Sequence, residues 1–165
     1  MAYDSRALTG VHGWLAFFIV SLGIFSPLAT LIGISTDLYG DPATPVAYGT
    51  SWPLAQGAEW AVAALTILAC WYLCWRLLTI QVWKTIRIVI PSLWAITFLP
   101  QTILILLIGA LLPIPFEKLL ALWGGQLIRP TIYATIWTAY FLRSERVANT
   151  YERYPDDNEL ADVFE

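Results

Sequence analysis

Four polar side chains stand inside long apolar runs of this sequence and are the residues with chemistry to offer: Glu59, Gln101, Gln126 and Arg129. Arg129 is the sharpest of them. It lies in the run from Leu119 to Leu142, with Pro130 directly after it. A charged Arg near a bilayer centre costs about 2.5–3.5 kcal/mol on insertion scales, so a chain that keeps one supplies a partner, water or a lipid headgroup. Counting back from Arg143 along a helix puts Arg129 about 21 Å from the inner interface, in the outer half of a ~30 Å hydrocarbon core. Glu59 falls at a similar depth, so a Glu59–Arg129 ion pair is the expected compensation. Gln126, at i−3, shares a helix face with Arg129. Pro100 leaves the Ile96 carbonyl without its helical donor, and Gln101 or Arg129 is placed to supply one. Such a cluster has three uses. It is a polar clamp that fixes helix register, a site for a carboxylate, a phosphate or a lipid headgroup, or a proton or ion path. The last is sparse, because no second intramembrane acid continues it.

The elements that position these residues follow from composition. The chain has 165 residues, 58% hydrophobic and 13% charged. Soluble domains carry roughly 25% charged residues, so the deficit points to an integral membrane protein. Crossing a bilayer as a helix takes ~20 mostly apolar residues. Four stretches qualify: 13–34, 54–75, 88–112 and 119–142. The first has too long an apolar stretch for a signal peptide. Lys and Arg set the orientation. Arg6, then Arg76, Lys84 and Arg87, then Arg143, Arg146 and Arg153 fall on one side, against Lys118 alone on the other. The positive-inside rule puts both termini in the cytoplasm. The connection from Ser35 to Pro53 is then external, with Pro and Gly that argue for turns. Short links between the second, third and fourth spans force antiparallel neighbours. The expected fold is all-α: a polytopic membrane protein, an antiparallel four-transmembrane-helix bundle over residues 1–150, followed by an acidic cytoplasmic tail over 151–165. That tail reads as solvated, or as a docking peptide.

Tryptophans support the same frame, Trp52, Trp60 and Trp123 near the outer interface and Trp14, Trp71, Trp75, Trp83 and Trp137 near the inner one. Cys70 and Cys74, four apart on one helix face, read as small apolar packing residues in a reducing compartment. His12, the single histidine, reads as an interfacial polar residue. No Ser-His-Asp set, P-loop, G-x-S-x-G or H-E-x-x-H pattern occurs, so neither an enzyme nor a metal or cofactor is expected. The basic residues form no nucleic-acid footprint. Ala134 and Thr138 make a small-x-x-x-small pair, and Ala61, Ala64 and Ala69 with Gly124 and Gly125 mark further helix contacts.

The stretch Ile136 to Tyr151, I-W-T-A-Y-F-L-R-S-E-R-V-A-N-T-Y, is the most distinctive in the chain. It resembles the closing signature, roughly I-W-x-x-Y-F-x-x-S-x-R-V-x-x-T-F, of the bacterial inner-membrane family called domain of unknown function 2569. Gly13-Trp14-Leu15 resembles that family's opening G-G-W-L, with His12 in place of the first Gly. Carried over residue by residue, the signature positions are Trp137, Tyr140, Phe141, Ser144, Arg146, Val147 and Thr150, with Tyr151 for the usual Phe. The resemblance implies a four-span bacterial inner-membrane protein and brings no activity with it. Read physically, Trp137 and Tyr140 anchor the inner interface. Arg143 and Arg146 share a face of a helix leaving the bilayer towards anionic headgroups, and Ser144 and Thr150 cap a helix end or start a turn.

Two functions are consistent with these residues. One is a non-enzymatic accessory, assembly or interaction subunit of a membrane complex, or a homo-oligomer, with a lipid near Arg129. The other is a small transporter or binding protein for an anionic or amphiphilic ligand. Packing discriminates. A Glu59–Arg129 pair in a tight bundle with no cavity excludes transport; a cavity opening from Arg129 to the outer side or the lipid weakens the accessory reading.

Overall fold

The computed structural model describes residues 10–39, 41, 43–112 and 115–152. Arg6, Arg153 and nearly all of the acidic tail lie outside the described residues. Those that are described are helical nearly throughout, and none of them is in a strand.

Gly13 opens the first helix at φ +59, a conformation L side chains avoid, which gives the glycine of the Gly13-Trp14-Leu15 motif its reason. Helix α1 runs Trp14–Val20, a π-helical turn occupies Ser21–Phe25, and α2 continues over Ser26–Tyr39. Pro27 explains the π turn: it has no N–H and its ring crowds the carbonyl four residues back, at Gly23. That carbonyl turns outward and accepts the Trp71 indole N–H at 3.0 Å. The approach there is close, since a Cβ on Gly23 would stand 3.1 Å from the Cys74 sulfur.

Helix α3 (Ala43–Tyr48) and a short 3-10 turn (Gly49–Ser51) lead into α4, Trp52–Thr79. Asp41 starts α3, its Oδ1 accepting the Ala43 N–H at 2.8 Å. Helix α5 spans Trp83–Leu111, α6 spans Phe116–Arg143 and α7 spans Glu145–Thr150. The long helices outrun the expected stretches, and α2 carries helix five residues into what reads in the sequence as a loop. Among the described residues, Trp14–Tyr39, Pro45–Thr79 and Trp83–Leu111 are long and apolar enough to cross a membrane. The chain is on this ground a membrane protein. Helix α6 is as long, but Gln126, Arg129 and Pro130 dilute its hydropathy and it falls outside that set.

The start of α1, the end of α4, the start of α5 and the end of α6 meet in one close-packed end. Leu15, Phe18, Leu77, Ile86, Val89, Phe141, Val147 and Tyr151 have no exposed surface there. Phe18 sits 4.7 Å from Trp137 and 4.9 Å, edge-on, from Phe141, which closes α1 against α6. Trp137 is therefore a core residue, buried by these rings, and not the interface anchor its type suggests. At the opposite end the packing is thinner: Ile34, Leu38 and Ala63 form a small core with Trp52 against it.

Candidate functional site

The signature segment belongs to the close-packed end. Ser144 breaks the helix (φ −76, ψ 120) and caps α7, its Oγ accepting the Val147 N–H at 3.4 Å. Arg143 thus ends α6 and Arg146 sits on α7, so the two do not share one continuous helix face. The Thr150 hydroxyl accepts the Gly10 N–H at 3.0 Å, tying the two ends of the described chain together. The Tyr151 hydroxyl donates to the Leu77 carbonyl at 2.8 Å, satisfying one of the orphan acceptors at the end of α4. Burial pushes the Tyr151 phenol well up from its ordinary pKa, so it stays a donor. Tyr140 is half-buried, its ring edge-on to Trp137 at 5.6 Å. Cys70 and Cys74 are both buried, the Cys74 thiol donating to the Ile19 carbonyl at 3.4 Å. Ser144, Thr150, Tyr151, Cys70 and Cys74 thus each have a structural partner.

Between this core and the small one lies a cavity of ≈ 360 Å³, walled by α2, α4, α5 and α6. It exists because its walls are made of small or kinked positions: Ala29 and Gly33 on α2, Ala63 on α4, Pro100 on α5 and Pro130 on α6. Glu59, Gln101 and Gln126 all line it, so three of the four intramembrane polar residues converge. Arg129 does not. It is exposed, it lies outside the lining, and no ion pair joins it to Glu59 among the described residues. Nor does Gln101 or Arg129 donate to the Ile96 carbonyl. The side of α6 that carries Gln126 and Pro130 faces the cavity, and Arg129, between them in sequence, does not share it.

Asp37 lines the cavity too and was missed in the sequence because the stretch after Ile34 reads as a loop. The signal was there: Ile34 and Leu38, at i and i+4, continue a buried helical face through it. The carboxylates of Asp37 and Glu59 are the charged groups of the lining; no Lys or Arg joins them.

The hydrogen-bonding capacity of the walls is one-sided. Thr30, Thr66 and Thr97 spend their hydroxyl protons on helix carbonyls of Ser26, Val62 and Leu93, at 2.9, 2.7 and 2.8 Å. Pro100 and Pro130 each remove a helical N–H, freeing the carbonyls of Ile96 and Gln126, both lining residues. Apart from the amide groups of Gln101 and Gln126, the cavity presents mostly acceptors. Trp123 donates its indole N–H to Thr102 at 3.2 Å, holding α6 against α5 beside it. Among the described residues no cluster of His, Cys, Asp and Glu is set to hold a metal ion.

No curated protein and no solved structure matches the chain. A family model does, over residues 8–152, which covers both the close-packed end and the cavity. The chain belongs to the family described as protein of unknown function DUF2569.

Proposed function

We propose that this is a bacterial inner-membrane protein that crosses the bilayer four times and holds a small ligand in a cavity of its outer half, as a binding protein or small transporter without catalytic chemistry. Helix α6 is the fourth span in this reading, the spans alternate in direction, and both termini face the cytoplasm. The short connection from α4 to α5 and the Lys and Arg bias support that topology. One observation carries the function: Asp37, Glu59, Gln101 and Gln126 converge on one partly open cavity between α2, α4, α5 and α6. Neither carboxylate has a hydrogen bond or ion pair among the described residues. Charged groups kept in a membrane without partners are expensive, and mark binding sites or pathways.

The test is retention. Protein purified in mild detergent and examined by native mass spectrometry is expected to carry a bound small molecule, lost in Gln101→Leu. A wild-type protein that carries nothing and takes up nothing offered to it overturns the reading.

A second reading has its own observation. Arg129 is exposed on α6 with no ion pair among the described residues, at a depth where lipid tails would surround it. A partner subunit, a second copy or a lipid phosphate that covers it makes the protein an accessory or assembly component. Arg129→Leu then abolishes co-purification of that partner and leaves the cavity ligand in place.

A further inference from the structure

On the basis of the cavity reading just given, we infer that the ligand is an amphiphile with an ammonium head, its head among the acceptors of the polar cavity and its chain in an apolar groove between α4 and α5.

The head is set by complementarity. Two carboxylate residues without basic partners, two residues whose carbonyls are freed by prolines and three threonines whose protons are already spent line one space. A carboxylate or phosphate brought there meets like charge and lone pairs. An ammonium group brings the positive charge that the walls lack, and up to three N–H donors where the walls themselves offer only the amides of Gln101 and Gln126. A neutral polyol supplies donors but leaves both carboxylates uncompensated in a membrane.

The chain is set by a second, independent cavity. A groove of ≈ 350 Å³ runs between α4 and α5, its walls almost wholly apolar, among them Leu65, Ala69, Ala95 and Leu99. Val62, Thr66, Ile96 and Pro100 line both the groove and the polar cavity, so the two spaces share one wall, the seam between α4 and α5. Along α4 the groove extends from Val62 to Tyr72 and Leu73, away from Glu59 and towards the close-packed end. At a helical rise of ~1.5 Å that is about 15 Å, half the thickness of a ~30 Å hydrocarbon core, running past its middle towards Trp71 and Trp75 on the inner side. The head then lies on the outer side and the chain runs along the bilayer normal, as lipid chains do. A hydrophilic amine or metal cation uses the cavity and has no use for the groove. A second copy of the chain would fill the groove and leave the carboxylates unanswered.

The experiment is equilibrium binding of radiolabelled dodecylammonium to the purified protein in nanodiscs. The inference expects saturable binding at least tenfold tighter than dodecanoate or dodecanol achieves in competition, weakened about tenfold in Glu59→Gln and again in Asp37→Asn. Ala95→Phe, which fills the groove, is expected to cut the advantage of dodecylammonium over ethylammonium and to leave ethylammonium unchanged. Dodecanoate or dodecanol binding as tightly as dodecylammonium overturns the ammonium head while the cavity reading stands. Equal binding of ethylammonium and dodecylammonium overturns the chain. If no compound of the set binds, the cavity reading and this inference fall together. Thermal unfolding of each variant in the same nanodiscs separates lost binding from lost fold.

Discussion

The two ends of this molecule solve opposite problems with the same helices. At the end where α1 starts and α6 finishes, Leu15, Phe18, Ile86, Val89, Phe141 and Tyr151 are fully buried. Gly10 with Thr150 and Tyr151 with Leu77 are matched there donor to acceptor, and among the described residues the buried polar side-chain atom without a partner is the Arg76 Nε. At the other end prolines, glycine and alanine replace large side chains, a cavity opens, and two carboxylates face it without partners. Close packing resists change, while a cavity lined by unmatched polar groups is held open at a cost that a bound molecule can offset. The family signature falls at the packed end. It identifies the scaffold, and the candidate site lies in the part of the chain where no motif stands out.

That contrast can be broken by substitutions at each end, read as thermal unfolding in detergent. Phe141→Ala removes a ring that touches Phe18 and Tyr140, and should cost about 3–5 kcal/mol. A cost below about 1 kcal/mol would mean that the end is looser than its burial implies. Tyr151→Phe keeps the ring and removes the donor to the Leu77 carbonyl. It should cost about 1–3 kcal/mol, the desolvation of one orphaned acceptor. Ser144→Ala removes the cap of α7 and should cost about 1 kcal/mol. At the open end Gln101→Leu removes a side chain with no hydrogen bond among the described residues. Its effect should stay within about 0.5 kcal/mol or be stabilising, because it relieves a polar group in an apolar setting. Ligand retention, by contrast, should be lost. An open-end substitution as costly as Phe141→Ala would make the polar residues structural and end the contrast.

Helix existence was legible from hydropathy, since the run lengths around Gly13, Leu54 and Ile88 could not be read otherwise. The family was legible from Trp137 to Thr150. Depth put Arg129 level with Glu59 and one turn from Gln126, and of these Glu59 and Gln126 do line the cavity, with Gln101. Three things were not legible, each for a physical reason. The Pro and Gly content after Ile34 pointed to turns, yet the buried pair Ile34 and Leu38 carries α2 onward and delivers Asp37 to the cavity. Trp137 has the composition of a membrane-interface anchor, but it is buried against Phe17 and Phe18 of α1, far away in sequence and near in space. Arg129 drew attention because of its charge, whereas the face on which it sits was fixed by how α6 packs on α5. Sequence gives the depth of a residue along a helix well and its rotation about the helix axis poorly.

The central claim is that the open end holds a polar space reachable from outside while the other end is sealed, and the protein carries its own control for it. Cys70 and Cys74 are buried beside the packed core, so the wild-type protein in right-side-out vesicles should not react with a membrane-impermeant maleimide. Gln101→Cys adds a thiol at the cavity wall. The account predicts labelling of that variant from the outer side, slowed by dodecylammonium, with the wild type silent until denatured. A folded Gln101→Cys protein as silent as the wild type would contradict it.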